Sequence, residues 1–151
     1  MLLPISDAIN LILSNLKEIE DEEELPIEEA VGRVNAENLK SKIDMPTFNK
    51  SAMAGYAVKI SATQARLKLV ETVPAGVIPE KKLNKGETIC VMTGAPLPEG
   101  TEAVVMREQT KEGKDFIEIE KKAEKWENIA FKGEDIKKGD ILLKKGDIIT
   151  P

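Results

Sequence analysis

The sequence has no histidine and only one cysteine, Cys90. Without histidine, the chain cannot form a Ser-His-Asp or a Cys-His nucleophilic centre. The same shortage excludes an ordinary zinc site, which is built from cysteine and histidine ligands. Any metal bound by this chain would therefore need oxygen ligands, with Mg²⁺ as the first candidate, and acid–base chemistry would fall to carboxylates or lysines.

Aromatic residues make up only 3% of the 151 residues, whereas hydrophobic residues as a whole make up 41%. The core must therefore be built from isoleucine, valine, leucine and methionine. The length suits one domain of ordinary size or two small ones. Cys90 lies between Ile89 and Val91 in an apolar stretch, so we expect a small buried hydrophobe and not a nucleophile.

Long apolar runs and an excess of positive charge are missing as well. No apolar run reaches the roughly eighteen residues of a transmembrane helix, and the first residues lack the basic start of a signal peptide. The net charge of −5 argues against nucleic acid or an anionic membrane as the main partner. A single cysteine fits a reducing compartment, so we expect a cytoplasmic protein.

The first predicted element is an amphipathic helix from Ser6 to about Ile19. Its apolar residues recur at helical spacing, namely Ile9, Ile12, Leu13, Leu16 and Ile19. Ser6 and Asp7 would provide an N-cap and a first-turn acid. A lone amphipathic helix must pack against another surface, either in this domain or in a partner.

The rest of the chain is predicted to be mainly β. One helical turn, ended by Gly32, and one or two short strands within residues 34–43 come first. Further strands are predicted at residues 67–73, 87–92 and 116–120, the last after a hairpin turn at residues 112–114. The phrase Lys-Lys-Gly-Asp begins at Lys137 and again at Lys144, and each copy predicts a turn followed by an apolar strand.

A stiff loop between two predicted strands is the organising feature of the sequence. It runs from Thr93 to Gly100 within residues 91–108. Its two glycines, Gly94 and Gly100, permit positive φ, whereas its two prolines fix φ and remove backbone donors. Such a loop would hold Thr93 and Glu108 at the ends of the flanking strands. On local chemistry alone a structural turn is the simpler interpretation, with a ligand-binding loop as the alternative.

A second loop, rich in small residues, extends from Asn49 to Gly55 and leads into the predicted strand at residues 56–58. Small residues allow a backbone to approach either another backbone or a ligand closely. The residues alone do not decide between these two interpretations.

Three phrases stand out by their order and spacing: residues 45–58 (MPTFNKSAMAGYAV), residues 92–100 (MTGAPLPEG) and residues 133–136 (GEDI) with Gly139. Together they resemble the N-terminal part of the MoeA family, the molybdenum-inserting enzymes of molybdenum cofactor biosynthesis, to which the C-terminal region of gephyrin is similar. Residues 30–34 (AVGRV) also look like the entry segment of that family. The resemblance covers nearly the whole chain.

The resemblance implies an α+β fold that is mainly β. An amphipathic N-terminal helix, residues 1–20, would pack on a domain that is absent here. Residues 21–43 and 133–151 would form a partial, elongated α/β first domain. Residues 44–132 would form an inserted, β-rich and barrel-like domain.

The resemblance also implies a site. Thr93 and Asp135 match functional positions of the family and are predicted to be catalytic. Ser51 and Gly55 match the motif around a third functional position, and they are predicted to bind cofactor together with Gly94 and Glu108 of the central stretch. No metal ligand is predicted.

Two single positions and one dipeptide depart from the family's pattern. The acid usually found between Met and Gly is Ala54 here, and the arginine usually found after Asn-Ile is Ala130. The family's Asp-Asn before Ser-Ala-Met is Asn49-Lys50. At positions 54 and 130 the chain therefore lacks a carboxylate, which could hold a proton or a metal, and a guanidinium, which could clamp an anion.

By the resemblance, the chain is the N-terminal part of a molybdenumtransferase that inserts molybdenum from molybdate into adenylylated molybdopterin. The family uses Mg²⁺, with molybdopterin and molybdate as substrates. We expect this chain alone to bind no cofactor and to be inactive, because the molybdopterin-binding domain is absent. The expected partners are that domain, a second copy in a homodimer, and the small-molecule substrates, with neither nucleic acid nor membrane.

Two alternatives remain open at this stage. Ala54 and Ala130 favour a degenerate paralogue that serves as a binding or dimerisation module without chemistry. A plain β-rich scaffold, in which the central loop is only a turn, is the other alternative. It leaves the ordered match of the three phrases unexplained.

Overall fold

The computed structural model describes residues 3–17, 19, 21–62 and 65–151. Within these residues the chain forms one α-helix, three short 3₁₀ turns and ten strands. The helix is α1 (Ile5–Asn15), and the 3₁₀ turns are Ile27–Glu29, Ile60–Ala62 and Arg107–Gln109. The strands are β1 (Leu39–Lys40), β2 (Lys50–Ser51), β3 (Gly55–Val58), β4 (Arg66–Val73), β5 (Glu87–Val91), β6 (Ala103–Met106), β7 (Thr110–Glu112), β8 (Phe116–Ile119), β9 (Ile129–Ala130) and β10 (Ile141–Leu143).

Six strands form the main sheet, in the order β6-β3-β5-β4-β8-β7. Strand β3 lies between β5 and β6 and is antiparallel to both. Strand β4 runs parallel to β5 and antiparallel to β8, which pairs with β7 in the predicted hairpin. The two strands that flank the stiff loop, β5 and β6, are therefore not paired with each other, because β3 separates them.

The middle of this sheet is buried on both faces. All four residues of β3 are buried. Since consecutive residues of a strand point to opposite faces, β3 contributes Tyr56 and Val58 to one apolar cluster and Ala57 to the other. Burial on both faces explains why these strands read as continuous apolar runs without polar alternation.

Two short ladders lie outside the main sheet. Strand β2 pairs with β9, and β1 pairs with β10. Both copies of Lys-Lys-Gly-Asp form the predicted turn, since Asp140 accepts a hydrogen bond from the backbone N–H of Lys137 (2.8 Å) and Asp147 accepts one from Lys144 (2.7 Å). The first copy leads into β10 as expected. The second leads only to an isolated bridge between Ile148 and Val34, so the prediction of a strand there is wrong.

The N-terminal helix is shorter than predicted and begins one residue earlier. Its N-cap is Pro4, which has no side-chain capping bond, so the predicted cap at Ser6 is wrong, whereas Asp7 is an acid of the first turn as predicted. The helix ends at Asn15, where the side chains of Ser14 and Asn15 both donate to the carbonyl of Leu11. Such bonds compete with the helical ladder, and the next residue is extended. Of the predicted remainder up to Ile19, residue 18 lies outside the described residues.

The chain divides into two compact units. One, the terminal unit, consists of Met1–Asn38 and Leu143–Pro151, and the other, the sheet unit, consists of Leu39–Leu142. The predicted division into residues 1–20, 21–43 with 133–151, and 44–132 stays a prediction. The prediction of a mainly β chain with one α-helix is confirmed for the described residues. Within that part of the chain, no helix has both the length and the apolar character to cross a membrane.

Candidate functional site

The start of β3 brings the ends of two other strands together. Gly55, the first residue of β3, lies opposite Val91, the last of β5, and opposite Met106, the last of β6. Because β3 is antiparallel to both neighbours, the chain leaves β5 and β6 at the same end of the sheet. We call this end the Gly55 edge. Five of the six predicted site residues lie in or beside it: Ser51, Gly55, Thr93, Gly94 and Glu108.

Ser51 ties the loop of small residues to the stiff loop. Its backbone N–H donates to the carbonyl of Ala95 (2.9 Å), and its own carbonyl accepts from the N–H of Gly94 (2.8 Å). The side chain is buried, and its hydroxyl donates to the carbonyl of Met53 (2.6 Å). The hydroxyl of Ser51 is thus engaged inside the protein, and the residue acts by holding two loops together.

The stiff loop carries Thr93 on its exposed side. Gly94 has φ of +81°, as predicted, and a side chain there would meet open space, so backbone conformation alone requires glycine. Ala95 is buried, and its N–H donates to the carbonyl of Met92 (2.9 Å). Thr93, between these anchored residues, is exposed to solvent. The loop is therefore a fixed turn that presents one hydroxyl to solvent, as the simpler interpretation of the sequence expects, and the ligand-binding alternative stays a prediction.

Gly55 is explained by close packing of one backbone on another. A Cβ at this position would lie 2.1 Å from the carbonyl oxygen of Val105. No side chain can be accommodated there, because the obstacle is backbone. Of the two interpretations of the small residues, close packing accounts for Gly55, and its assignment to cofactor binding stays a prediction.

Asp135 is anchored at some distance along the chain from the other five. Its N–H donates to the carbonyl of Met45 (3.0 Å), and the N–H of Gly133 donates to the carbonyl of Pro46 (2.9 Å). The segment from Met45 to Ser51 connects this anchor with the Gly55 edge. The carboxylate of Asp135 is exposed. The structure thus places Asp135 at the far end of that segment from Ser51.

A cluster that was not predicted lies directly beside Glu108. The buried Tyr56 donates its hydroxyl hydrogen bond to Oε1 of Glu112 (2.6 Å). The Arg107 guanidinium donates to both oxygens of the same carboxylate, from Nε to Oε1 (2.5 Å) and from Nη2 to Oε2 (3.1 Å). The backbone N–H of Arg107 also donates to the carbonyl of Ala54 (3.4 Å). Glu108 itself is exposed in the 3₁₀ turn that follows β6.

The ionisation of this cluster follows from its contacts. The hydrogen bonds from Arg107 and then Tyr56 lower the pKa of Glu112 to about 2. Burial, followed by the bond to Glu112, raises the pKa of the Tyr56 hydroxyl. Burial also raises the pKa of the Cys90 thiol, and Cys90 is a buried hydrophobe as expected. These contacts keep Glu112 charged and Tyr56 neutral at neutral pH, so the cluster of Tyr56, Arg107 and Glu112 fixes the position of the chain after β6.

Two of the departures from the family's pattern, Ala54 and Ala130, lie near this edge. Ala54 directly precedes Gly55, and Ala130 lies opposite Lys50 in the β2–β9 ladder. Both positions carry short, uncharged side chains where a carboxylate or a guanidinium would have added charge. Lys50 was not a predicted site residue, and its neighbours became known only from the register of this ladder.

The described residues do not fit a complete Mg²⁺ site. Among them, no group of three or more histidine, cysteine, aspartate or glutamate residues lies close enough to hold a metal ion. Asp135 is exposed and Ala54 has no ligand atom. Magnesium prefers several oxygen ligands in octahedral geometry, and the described residues do not assemble them by themselves.

Fold and site together define a β-rich module whose main sheet presents two anchored loops at one edge. A family model described as the MoeA N-terminal region (domain I and II) matches residues 3–151. The chain therefore belongs to the MoeA N-terminal family, and the resemblance found in the sequence is confirmed.

Individual relatives agree with this assignment. A molybdopterin biosynthesis protein of Methanocaldococcus jannaschii is 40% identical over 156 residues, covering 99% of this chain and 38% of the relative. A molybdopterin molybdenumtransferase of Staphylococcus aureus is 35% identical, covering 99% of this chain and 37% of the relative. The crystal structure of the molybdopterin biosynthesis MoeA protein from Pyrococcus horikoshii superimposes with a TM-score of 0.92 at 39% identity.

The chain spans only part of the length of these relatives. It matches 42% of the Pyrococcus horikoshii chain while being covered completely itself. The activity, substrates and partners of a whole molybdenumtransferase are therefore matters for proposal.

Proposed function

We propose that this chain supplies the N-terminal part of a molybdopterin molybdenumtransferase. The reaction would transfer molybdenum from molybdate to adenylylated molybdopterin in molybdenum cofactor biosynthesis. The observation that carries the proposal is the family match over residues 3–151. The grouping of Ser51, Thr93 and Glu108 around the Gly55 edge supports it, because residues of two separate motif phrases then lie at one end of the sheet.

Within this proposal the residues have different tasks. The exposed hydroxyl of Thr93 donates a hydrogen bond to an oxyanion of the substrate. Asp135 orients a lysine contributed by the domain that completes the cleft. Ser51, Gly55 and Gly94 give the two loops their shape and let the ligand approach the backbone, and the Glu108 carboxylate borders the cleft.

The wider organisation is part of the same proposal. Residues 44–132 form an inserted, barrel-like β domain, flanked by residues 21–43 and 133–151. Helix α1 packs on a molybdopterin-binding domain, and the active assembly is a cytoplasmic homodimer. The exposed apolar residues of α1, among them Ile5 and Ile12, support such a packing surface.

The test is a molybdenum-insertion assay on the native protein that carries this sequence, with the molybdopterin-binding part on the same chain or on a partner. We expect Thr93→Ala and Asp135→Ala each to lower kcat by about a hundredfold, the size typical of losing one positioned catalytic group. The matched control is Thr101→Ala, because the Thr101 hydroxyl donates to the nearby carbonyl of Pro98 (2.7 Å) away from the edge. Normal insertion by both site variants would reject these assignments.

A second candidate function is a binding or dimerisation module without chemistry. Ala54 and Ala130 favour it, because both lack the charged groups of the family's pattern. The double variant Ala54→Asp, Ala130→Arg separates the two functions in the same assay. A gain in insertion rate would indicate a simple loss of catalytic groups, whereas no gain, in a protein that still dimerises, would favour the binding module.

A further inference from the structure

Lys50 lies in the middle of a row of three residues from three segments of the chain. It is directly opposite Ala130 in the β2–β9 ladder, and on its other side it forms an isolated bridge with Pro96 of the stiff loop. Residues directly opposite each other in such pairs project to the same face. The row Pro96–Lys50–Ala130 therefore presents a single charged side chain, with a small uncharged residue on each side.

The direction of the Lys50 side chain follows from its neighbour. Ser51 is 1% exposed, so its side chain points into the protein. Successive side chains of a strand point to opposite faces, and Lys50 therefore projects away from that interior. Lys50 is nevertheless only half-exposed. The row is thus a partly sheltered surface beside the loop that carries Thr93.

The charge of Lys50 is not balanced within the described residues. Nearby cations have carboxylate partners, since Lys132 pairs with Asp44 (3.4 Å) and Arg107 pairs with Glu112. None of the ion pairs among the described residues includes Lys50. A cation on a partly sheltered surface, without a counter-charge beside it, attracts an anion more strongly than a fully solvated one does.

We propose that Lys50 binds an anionic substrate group at the Gly55 edge, beside the loop that carries Thr93. The ligand is a tetrahedral oxyanion that carries two negative charges at neutral pH. A free metal oxyanion and a phosphomonoester share this chemistry. This assignment rests on the proposed function, and it adds a cation at a position that none of the predicted site residues supplies.

The first experiment titrates the 151-residue chain with sodium molybdate and, separately, with adenosine 5′-monophosphate. Binding is followed by the backbone amide NMR signals of Thr93, Gly94 and Ala130. We expect saturable shifts at these positions, about tenfold weaker binding for Lys50→Ala, and binding within about twofold of the original for Lys50→Arg. The affinity falls as salt is added, because the attraction is electrostatic.

Lys59 offers a matched control. It is also half-exposed, and it follows Val58 at the other end of β3, with its Nζ 3.3 Å from where a Cβ of Gly100 would stand. The Lys59→Ala variant removes the same charge from the same sheet, far along the strand from the Gly55 edge. We expect its binding of either anion to equal that of the unaltered chain.

A relocated charge provides the second experiment. The double variant Lys50→Ala, Ala130→Arg places a guanidinium directly opposite the lost ammonium, in the same row. We expect it to recover binding to within about threefold of the original chain, since the electrostatic attraction depends on charge at the row. A purely structural role of Lys50 would not be rescued in this way.

The outcomes separate cleanly. Tighter binding of molybdate assigns the row to the free metal oxyanion, and tighter binding of the nucleotide assigns it to a substrate phosphate. The proposal is overturned by unchanged affinity in Lys50→Ala, by an equal loss in Lys59→Ala, or by the absence of saturable shifts up to about 20 mM of both anions.

The insertion assay tests the proposed function separately from the anion binding at Lys50. Lys50-dependent anion binding in a protein that inserts no molybdenum would reject the proposed function and leave the Lys50 site in place. Normal insertion with Lys50→Ala, at unchanged KM for molybdate and for the pterin substrate, would reject the Lys50 site and leave the proposed function in place. Circular dichroism of each variant confirms that the fold is retained.

Discussion

The two units of the molecule differ in the interactions that stabilise each of them internally. Every residue that is buried in the described part of the chain belongs to the sheet unit, Leu39–Leu142. None of the described residues of the terminal unit is buried, although it is rich in apolar side chains. Ile5 is 80% exposed there, and Val34 and Ile148 are each 63% exposed. Sequence hydrophobicity alone therefore does not separate a unit with a core from a unit without one.

Backbone hydrogen bonds define the terminal unit. The N–H of Gly32 donates to the carbonyl of Ile149 (2.8 Å), and the N–H of Gly146 donates to that of Asn35 (2.8 Å). Such bonds contribute about 1 kcal/mol each, because water competes for the same groups. The sheet unit adds burial on both faces of its middle strands, and burial is the dominant favourable contribution to folding. The comparison predicts that equivalent substitutions have unequal effects in the two units.

The largest expected effect is that of Gly55→Ala in the sheet unit. The added Cβ would stand 2.1 Å from the carbonyl oxygen of Val105, and neither backbone can move away without breaking the sheet. We expect a loss of about 4 kcal/mol or more in the free energy of unfolding. Urea denaturation followed by circular dichroism measures it.

Gly146→Ala is the matched glycine in the terminal unit. Gly146 has φ of +91°, but nothing lies within 4 Å of an added Cβ, so only backbone strain opposes the change. We expect a loss of about 1 kcal/mol. Equal losses for the two glycine variants would show that the close approach at Gly55 is not what limits that position.

The next largest effect is expected from truncation of a core residue. Ile89 is fully buried in β5, and Ile89→Ala should lower the free energy of unfolding by about 3 kcal/mol, through lost burial and the cavity left behind. Ile12 is 61% exposed on α1, and Ile12→Ala should change the free energy of unfolding by less than about 0.5 kcal/mol. Thermal and urea unfolding of both variants test the contrast. A large loss for Ile12→Ala would mean that the terminal unit is packed in solution.

The sheet unit also contains a carboxylate, that of Glu112, whose contribution to stability depends on pH. The pKa of Glu112 is lowered from 4.5 to about 2 by Arg107 and Tyr56. Between these values the unfolded chain binds more protons than the folded one, so stability rises with pH. The contribution of Glu112 is fully present above pH 4.5 and is lost as the pH falls towards 2. We expect Glu112→Gln to flatten the fall in stability across this window, measured by urea denaturation at a series of pH values.

The smallest effect is expected for the exposed ion pair of the terminal unit. Arg33 pairs with Glu23, and both side chains are more than half exposed. Solvent screening leaves such pairs little net stabilisation. Glu23→Gln should therefore change the free energy of unfolding by less than about 0.5 kcal/mol, in the same measurements. A loss as large as that of Ile89→Ala would contradict the proposed difference between the units.

Local features were largely predictable from the sequence. The stiff loop, the hairpin at residues 112–114 and the turn of each Lys-Lys-Gly-Asp copy depend on residues close together in the chain, and all three were confirmed. The exact helix ends were not, because the side chains of Ser14 and Asn15 bond back to Leu11 instead of continuing the helix. The motifs of the family were also readable, because they are continuous phrases.

The spatial arrangement of the site could not be predicted in the same way. Strand order places β3 between β5 and β6, and only that order brings Ser51, Thr93 and Glu108 to one edge. The register of β2 with β9 puts Lys50 opposite Ala130, and a shift by one residue would have turned Lys50 inward. The contact of Tyr56 with Glu112 likewise joins residues 56 positions apart.

By itself, the sequence determined what chemistry is open to this chain alone and where the chain turns. The absence of histidine excludes whole classes of mechanism, and glycine and proline set local backbone angles whatever the rest of the chain does. Only the tertiary structure decided which strands neighbour each other, that the backbone of Val105 leaves Gly55 no room for a side chain, and that Lys50 stands opposite Ala130. The physical reason is that strand order, register and burial are set by contacts between residues far apart in the chain.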